Sequence, residues 1–232
     1  LILRRRIPKQ FASWLVSPLL YLVAFHYAMS DTLVGSRPYA DFLLPGLVAM
    51  SSMTQSWAIA SDINISRFYW HTFDEFQTAP LHAVAYATGE VLAGMTRAVL
   101  ACLVVMGIGM LGGIQIAYGA PGLWLALLLN AWFFSSLAVA LAMHVKAHAD
   151  QALLSNFVIT PMAFLGGTFF PLARLPGWAQ HVLELLPLPH AAQAMQAAAI
   201  GQPVRFLSYG LLFLGAGAAF AWAIFSVRSA QG

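Results

Sequence analysis

The sequence predicts an all-α polytopic membrane protein: six transmembrane helices, a short amphipathic helix on the cytoplasmic side and an interfacial helix on the outer side. Three observations carry this. Of the 232 residues 60% are hydrophobic and 8% charged, which leaves more apolar surface than one soluble core could cover. Six apolar stretches, 12–30, 42–62, 86–111, 121–144, 151–170 and 206–227, reach span length. The fifth breaks at Gly166-Gly167 and Pro171 and runs into a short amphipathic segment instead of leaving the membrane. Irregular backbone at that depth survives only where protein or a water-filled cavity covers it.

Six spans return both termini to one side, and basic residues flanking spans mark the cytoplasmic one. With the N-terminus inside, Arg4, Arg5, Arg6, Lys9, Arg67, Lys146 and Arg228 are cytoplasmic, Arg37, Arg174 and Arg205 lie outside, and Arg97 falls within a span. The net charge of +3 therefore reports topology, and no basic soluble face of the kind that binds nucleic acid is present. Because the chain opens on Leu1, residues are expected to precede it. The first apolar run is too long and lacks the small-residue cleavage site of a signal peptide.

All 232 residues read as one transmembrane domain. Residues 1–11 interleave four cations with apolar side chains and suit a segment lying on the inner membrane surface. Pro45-Gly46 loosens the start of the second span. Residues 66–82 form a cytoplasmic amphipathic segment: Phe68, Tyr69, Phe73 and Phe76 recur at helical spacing, with Thr72 as N-cap ahead of Asp74 and Glu75, and Pro80 closing it. Those two carboxylates disfavour rest on anionic lipid headgroups and favour a protein partner. Cys102, the lone cysteine, reads as packing in the third span. The segment 171–203 is the longest loop. Within it LPGWAQHVLELLP puts Leu175, Trp178, Val182 and Leu185 on one face and Gln180, His181 and Glu184 on the other, an outer interfacial helix in the 166–190 region.

Glu90 and Arg97 stand seven residues apart on the third span, about 10 Å in height along one face. Ionisable groups in a span usually face the bundle interior or a cavity, so both are candidates for a translocation path, although Glu90 could be hydrated near the inner interface. His144 and His148, with Asp150 close by, have a spacing a metal could use, but capping and headgroup contact are commoner at a helix end; no metal is assigned there, nor to His181 and Glu184. Gly109 and Gly113 form a GxxxG, and Gly210, Gly215 and Gly217 populate the sixth span, weak signs of close helix approach or dimerisation. No Ser-His-Asp order, HExxH or paired carboxylates point to catalysis, and no phosphate loop appears. ATP and Mg would have to be bound by another chain.

FLLPGLVAM, FDEFQTAPLHAVAYATGEVLAG and PMAFLGGTFFPLARLPGWAQ resemble the ABC-2 type transporter permeases, the membrane subunits of type-2 ABC exporters, over nearly the whole chain. The resemblance implies an inner-membrane permease of a bacterium, dimeric, driven by two ABC ATPase subunits, with residues 66–82 as an amphipathic cytoplasmic coupling helix and 166–190 as an outer re-entrant hairpin region. It departs from many members after the outer helix, where LPLPHAAQAMQ replaces a more polar and charged run. On this reading Gly166, Gly167, Phe169, Phe170, Pro171 and Trp178 join Glu90 and Arg97 along the path, with Phe169 and Trp178 as apolar gate elements. A lipidic, glycolipid or amphipathic drug-like cargo suits the aromatic spans, which equally suit contact with membrane lipid. A proton-coupled secondary transporter using Glu90, Asp62 or a His is the alternative; a membrane-embedded enzyme or scaffold has less to support it.

Overall fold

A computed structural model describes residues 16–25, 28–29, 32–34, 37–70, 82–145 and 147–231. It is an almost entirely helical bundle, as expected of an all-α membrane protein. In chain order α1 is Val16–Phe25, α2 Tyr39–Trp57, α3 Ile59–Phe68, α4 Ala83–Leu111, α5 Pro121–His144, α6 His148–Leu154, α7 Thr160–Leu165, α8 Gly177–Leu183, α9 Pro187–Ala199 and α10 Phe206–Gln231. Three of these helices, α4, α5 and α10, are long and apolar enough to cross a membrane.

Helix α5 is the axis of the bundle, packed against α2, α3, α4, α9 and α10. Its sequence explains why. Pro121 pre-sets the first turn, and small residues line its buried surface, among them Ala126, Ala131, Ser135, Ala138 and Ala142. Between apolar helices in lipid there is no hydrophobic drive to associate, so association rests on such close packing. Gly94 of α4 meets this face: a Cβ there would stand 2.5 Å from the Ser135 hydroxyl. Asn130 of α5 donates to the Ala49 carbonyl of α2 at 3.2 Å, and Cys102 of α4 lies 3.4 Å from the Val48 carbonyl, a packing role.

The expected second span is two helices, α2 and α3, joined at Ala58, so that it reaches Phe68 instead of stopping near residue 62. The fifth is also divided. Ser155–Ile159 widens to a π-helical turn between α6 and α7, beside a polar seam in which Trp57 Nε1 donates to Ser155 Oγ at 2.8 Å and Asn64 Nδ2 donates to Gln151 Oε1 at 3.2 Å. Two features escaped the sequence reading. Leu33–Val34 and Arg37–Pro38 pair as a short antiparallel ribbon, and the segment read as the longest loop contains α9, whose Leu188, Ala192, Met195 and Ala199 are buried.

The bundle has two distinct ends. One carries Phe68, Tyr69, His82, His144 and Arg228. The other, the hairpin end, carries the ribbon, the 112–120 turn and residues 166–176, tied together by the bond from Ala117 N to the Ala199 carbonyl at 2.7 Å and by Arg37 reaching the Ile200 carbonyl. Tyr118 belongs here as well. Burial, and then the charge of Asp41, push its phenol upward, so it stays protonated and donates to the Ile114 carbonyl at 2.8 Å.

Candidate functional site: a polar column and an aromatic plug

The polar side chains of the second and third spans converge. Arg97 of α4 places Nη1 2.8 Å from Asp62 Oδ2 and Nε 3.3 Å from Gln55 Oε1. One turn-pair nearer the other end of α4, the Tyr86 hydroxyl donates to the Glu90 carboxylate, whose charge lies within reach of Asp62. Asp62 is 56% exposed at its side chain, so the pair is wet on one flank and adds little to stability, at most about 1 kcal/mol. Its value lies in placing a charge inside an apolar bundle. An arginine near mid-membrane costs roughly 3 kcal/mol on insertion scales, a cost that a carboxylate, an amide and water together offset.

Gln55 has a second neighbour: with Thr54, Thr160, Pro18, Tyr21 and Phe164 it lines a cleft of about 230 Å³ between α1, α2 and α7. Toward the hairpin end the cleft is stopped by rings. Tyr21 and Phe164, which line it, pack on Phe169 with centroids 5.2 Å and 5.5 Å away, and Phe25 closes on the same ring at 4.9 Å. Phe169 is buried and its carbonyl accepts from the Tyr39 hydroxyl at 2.6 Å.

The hairpin that presents Phe169 is built from the backbone outward. Gly167 has φ +79°, a conformation that favours glycine, and its carbonyl accepts from Gln196 Nε2 at 3.0 Å. Gly166 backs onto Leu188 of α9. Across the interface, a Cβ on Gly46 would stand 2.6 Å from the Thr168 carbonyl oxygen, so Gly46, inside the unbroken helix α2, is the seat on which the 166–171 turn rests. Phe170 and Pro171 are half-buried, and Pro171 leads into the 3-10 turn Leu172–Arg174.

Thus Arg97 and Phe169 flank one cleft without lining it, the first through Gln55 and the second through Tyr21 and Phe164. Other expected site residues lie elsewhere. Trp178, on α8, is 75% exposed. Phe68 ends α3, its ring under the Arg67 guanidinium at 5.3 Å, and Tyr69 follows it, exposed. Thr72, Phe73, Asp74, Glu75, Phe76 and Pro80 lie outside the described residues. The GxxxG is divided: Gly109 packs against Leu44 within the chain, whereas Gly113 lies past the end of α4. Gln55 is the residue that sequence reasoning missed; its spacing of seven from Asp62, two turns along one face, was the available signal.

Residues 1–200 match the ABC-2 type transporter family. The chain belongs to that family. It is 25% identical over 198 residues to the daunorubicin resistance ABC transporter permease protein of Streptomyces coeruleorubidus, covering 82% of this chain and 68% of that one. It is 25% identical over 194 residues to the inner membrane transport permease YadH of Escherichia coli (81% and 75%) and 29% identical over 201 residues to nodulation protein J of Rhizobium meliloti (82% and 74%). The chain is accordingly a membrane protein of a transport-permease family, and such permeases normally work with ABC ATPase partners.

Proposed function

We propose that this chain is the permease subunit of an ATP-driven exporter, and that its path runs from the Arg97–Asp62 pair past Gln55 into the cleft and out through the Phe169 plug. The continuity of that track carries the reading: charged groups at one end, a roomy amphipathic cleft, then movable rings seated on a rigid hairpin. In this reading α1, α2–α3 and α6–α7 complete six spans with α4, α5 and α10, and the hairpin with α8 and α9 is re-entrant. The full-sequence count, Arg4, Arg5, Arg6, Lys9, Arg67, Lys146 and Arg228 against Arg37, Arg174 and Arg205, supports cytoplasmic termini.

Two copies of the permease work with two ATPase subunits, which bind ATP and Mg. Closure of those subunits presses on the 66–82 segment, through Asp74, Glu75 and its aromatic side chains. Because α2 and α3 run almost without interruption into Phe68, a push there reaches Asp62, Gln55 and the cleft along one rod. The cargo is lipidic, glycolipid or an amphipathic drug, in keeping with a cleft lined by rings, hydroxyls and an amide. The daunorubicin resistance relative makes an anthracycline the first probe to try.

The test is co-reconstitution with a candidate ABC ATPase subunit, following daunorubicin efflux from vesicles. Nucleotide-dependent efflux that Phe169→Ala makes leaky supports the reading. Efflux at full rate without nucleotide, abolished when the proton gradient is collapsed, would transfer the protein to proton-coupled transport through Asp62 and Glu90. Cross-linking that places a cysteine at Asp74 on the extracytoplasmic side would overturn the assigned orientation.

A further inference from the structure

A second groove lies on the far side of α9 from the cleft, at the hairpin end, between α8, α9 and α10. Its rim is polar: Arg205, Glu184, His181, His190, Gln193 and Ser208 border a cavity of about 550 Å³. Sharing Glu184, Leu185, His190 and Leu211, it continues into a smaller cavity of about 280 Å³ walled by Phe133, Leu186, Pro187, Leu212 and Gly215. From Arg205 to Gly215 is ten residues, about 15 Å along α10. Over that length the α10 wall changes from Arg205 and Ser208 to Leu211, Leu212 and Gly215, although Glu184 and His190 still border the smaller cavity. Gly215 makes the deep part possible, since a Cβ there would stand 3.1 Å from the Phe133 ring.

The groove opens onto an apolar exterior. Leu185 is 85% exposed and Phe206 88%, and Trp178, Val182 and Leu207 extend the same surface. A Trp and a Phe beside a polar rim are the pattern of a membrane–water interface. The rim itself carries one permanent cation and one carboxylate, Arg205 and Glu184, and neither is ion-paired among the described residues. Two of its imidazoles are already engaged locally, His181 Nδ1 with the Gly177 carbonyl and His190 Nε2 with the Glu184 carbonyl.

We propose that this groove holds a zwitterionic phospholipid of the phosphatidylethanolamine type, with its phosphate at Arg205, its ammonium at Glu184 and one acyl chain along Leu211 into the slot at Phe133 and Gly215. Opposite charges that face one cavity without meeting each other are complementary to a head that carries both charges, and the taper from polar to apolar matches a single amphiphile. An anionic lipid would satisfy Arg205 but leave Glu184 facing a phosphate. This inference needs only that α10 lies in the membrane, and it stands or falls independently of the transport reading.

The experiment is native mass spectrometry of the full chain in detergent, offered dioleoyl phosphatidylethanolamine, phosphatidylglycerol and diacylglycerol with the same acyl chains. One phosphatidylethanolamine should be retained over phosphatidylglycerol by about fivefold, the ratio expected of one added charge contact at the membrane surface, and over diacylglycerol, which lacks both contacts, by more. Arg205→Gln should lower its retention by about fivefold toward the diacylglycerol level, and Glu184→Gln should make the two phospholipids equal. Equal retention of all three lipids by the unaltered chain, or indifference to both substitutions, would overturn the proposal. A fluorophore on Leu207→Cys adds a readout in the otherwise unaltered protein, since Cys102 is fully buried. Quenching by a nitroxide on the phosphatidylethanolamine head is expected. Competition by chainless glycerophosphoethanolamine alone would make this a site for a soluble phosphoamine, and protection of the label by a second copy without lipid would make it a protein interface; either result refutes a lipid site.

Discussion

The polar column and the 166–171 turn flank one cleft but are held by opposite means. Around Arg97 the guanidinium meets a carboxylate and an amide side chain to side chain, with Asp62 56% exposed. Around Phe169 the contacts are to backbone: Tyr39 and Gln196 bond the carbonyls of Phe169 and Gly167, and Gly46 admits the main chain of Thr168 against α2. Long side chains exchange partners at little cost, whereas a backbone seat moves as a unit or not at all. The difference teaches where adaptation and where closure reside: the column can re-pair as helices tilt, and the hairpin holds its plug in one place until its seat shifts.

The comparison breaks first at the seat. Gly46→Val puts methyl groups where the Thr168 carbonyl already crowds a single Cβ, and should destabilise the protein by roughly 3 kcal/mol, seen as a lower unfolding temperature in detergent. An unchanged midpoint would mean that the hairpin is not seated on α2. Arg97→Gln should do the reverse. Stability should change by less than about 1 kcal/mol, because the pair is half in water, while nucleotide-driven efflux falls by about tenfold, near 1.4 kcal/mol in the barrier. A melt as large as that of Gly46→Val with little kinetic effect would make the column a structural brace.

A subtler break is Tyr39→Phe. It removes one hydroxyl that donates to the Phe169 carbonyl and leaves the ring packing in place, so the loss should be about 1 kcal/mol. It should also raise the leak of daunorubicin without nucleotide, because the plug loses a tether, not a wall. A loss of stability with no added leak would separate the anchor of Phe169 from its role as a stop.

Much of this architecture was legible in the sequence because it follows from local rules. The ends of α5 coincide with the apolar run bounded by Pro121 and His144, and α4 begins three residues earlier than its run and ends with it, at Leu111 before Gly112-Gly113. The end of α7 and the turn after it were visible in Gly166-Gly167 and Pro171 for the same reason. What stayed hidden depends on distant pairing. Nothing near Arg97 in the chain indicates that Gln55 and Asp62 are its partners, and nothing near Pro45-Gly46 reveals that Thr168 sits on it. Helix α9 was hidden by composition: its buried face is mostly alanine, too short and too mild to register as a span, and Pro187 and Pro189 read as loop although both occupy its first turn, where no helical N–H is required.

The smallest effect is expected at Trp178, and it decides between two gates. The residue stands on α8 at 75% exposure, well outside the ring cluster of Tyr21, Phe25, Phe164 and Phe169. Truncating an exposed side chain that has no special backbone or polar role usually changes stability by no more than about 0.5 kcal/mol, so Trp178→Ala should leave the unfolding temperature almost unmoved. Efflux should be equally unaffected if the stop is Phe169 alone. Should the variant keep its stability and yet export more slowly, α8 would have to fold inward during the cycle and Trp178 would meet cargo beyond the plug. The outer gate would then consist of two layers, a buried ring fixed to backbone and an exposed one that closes over it.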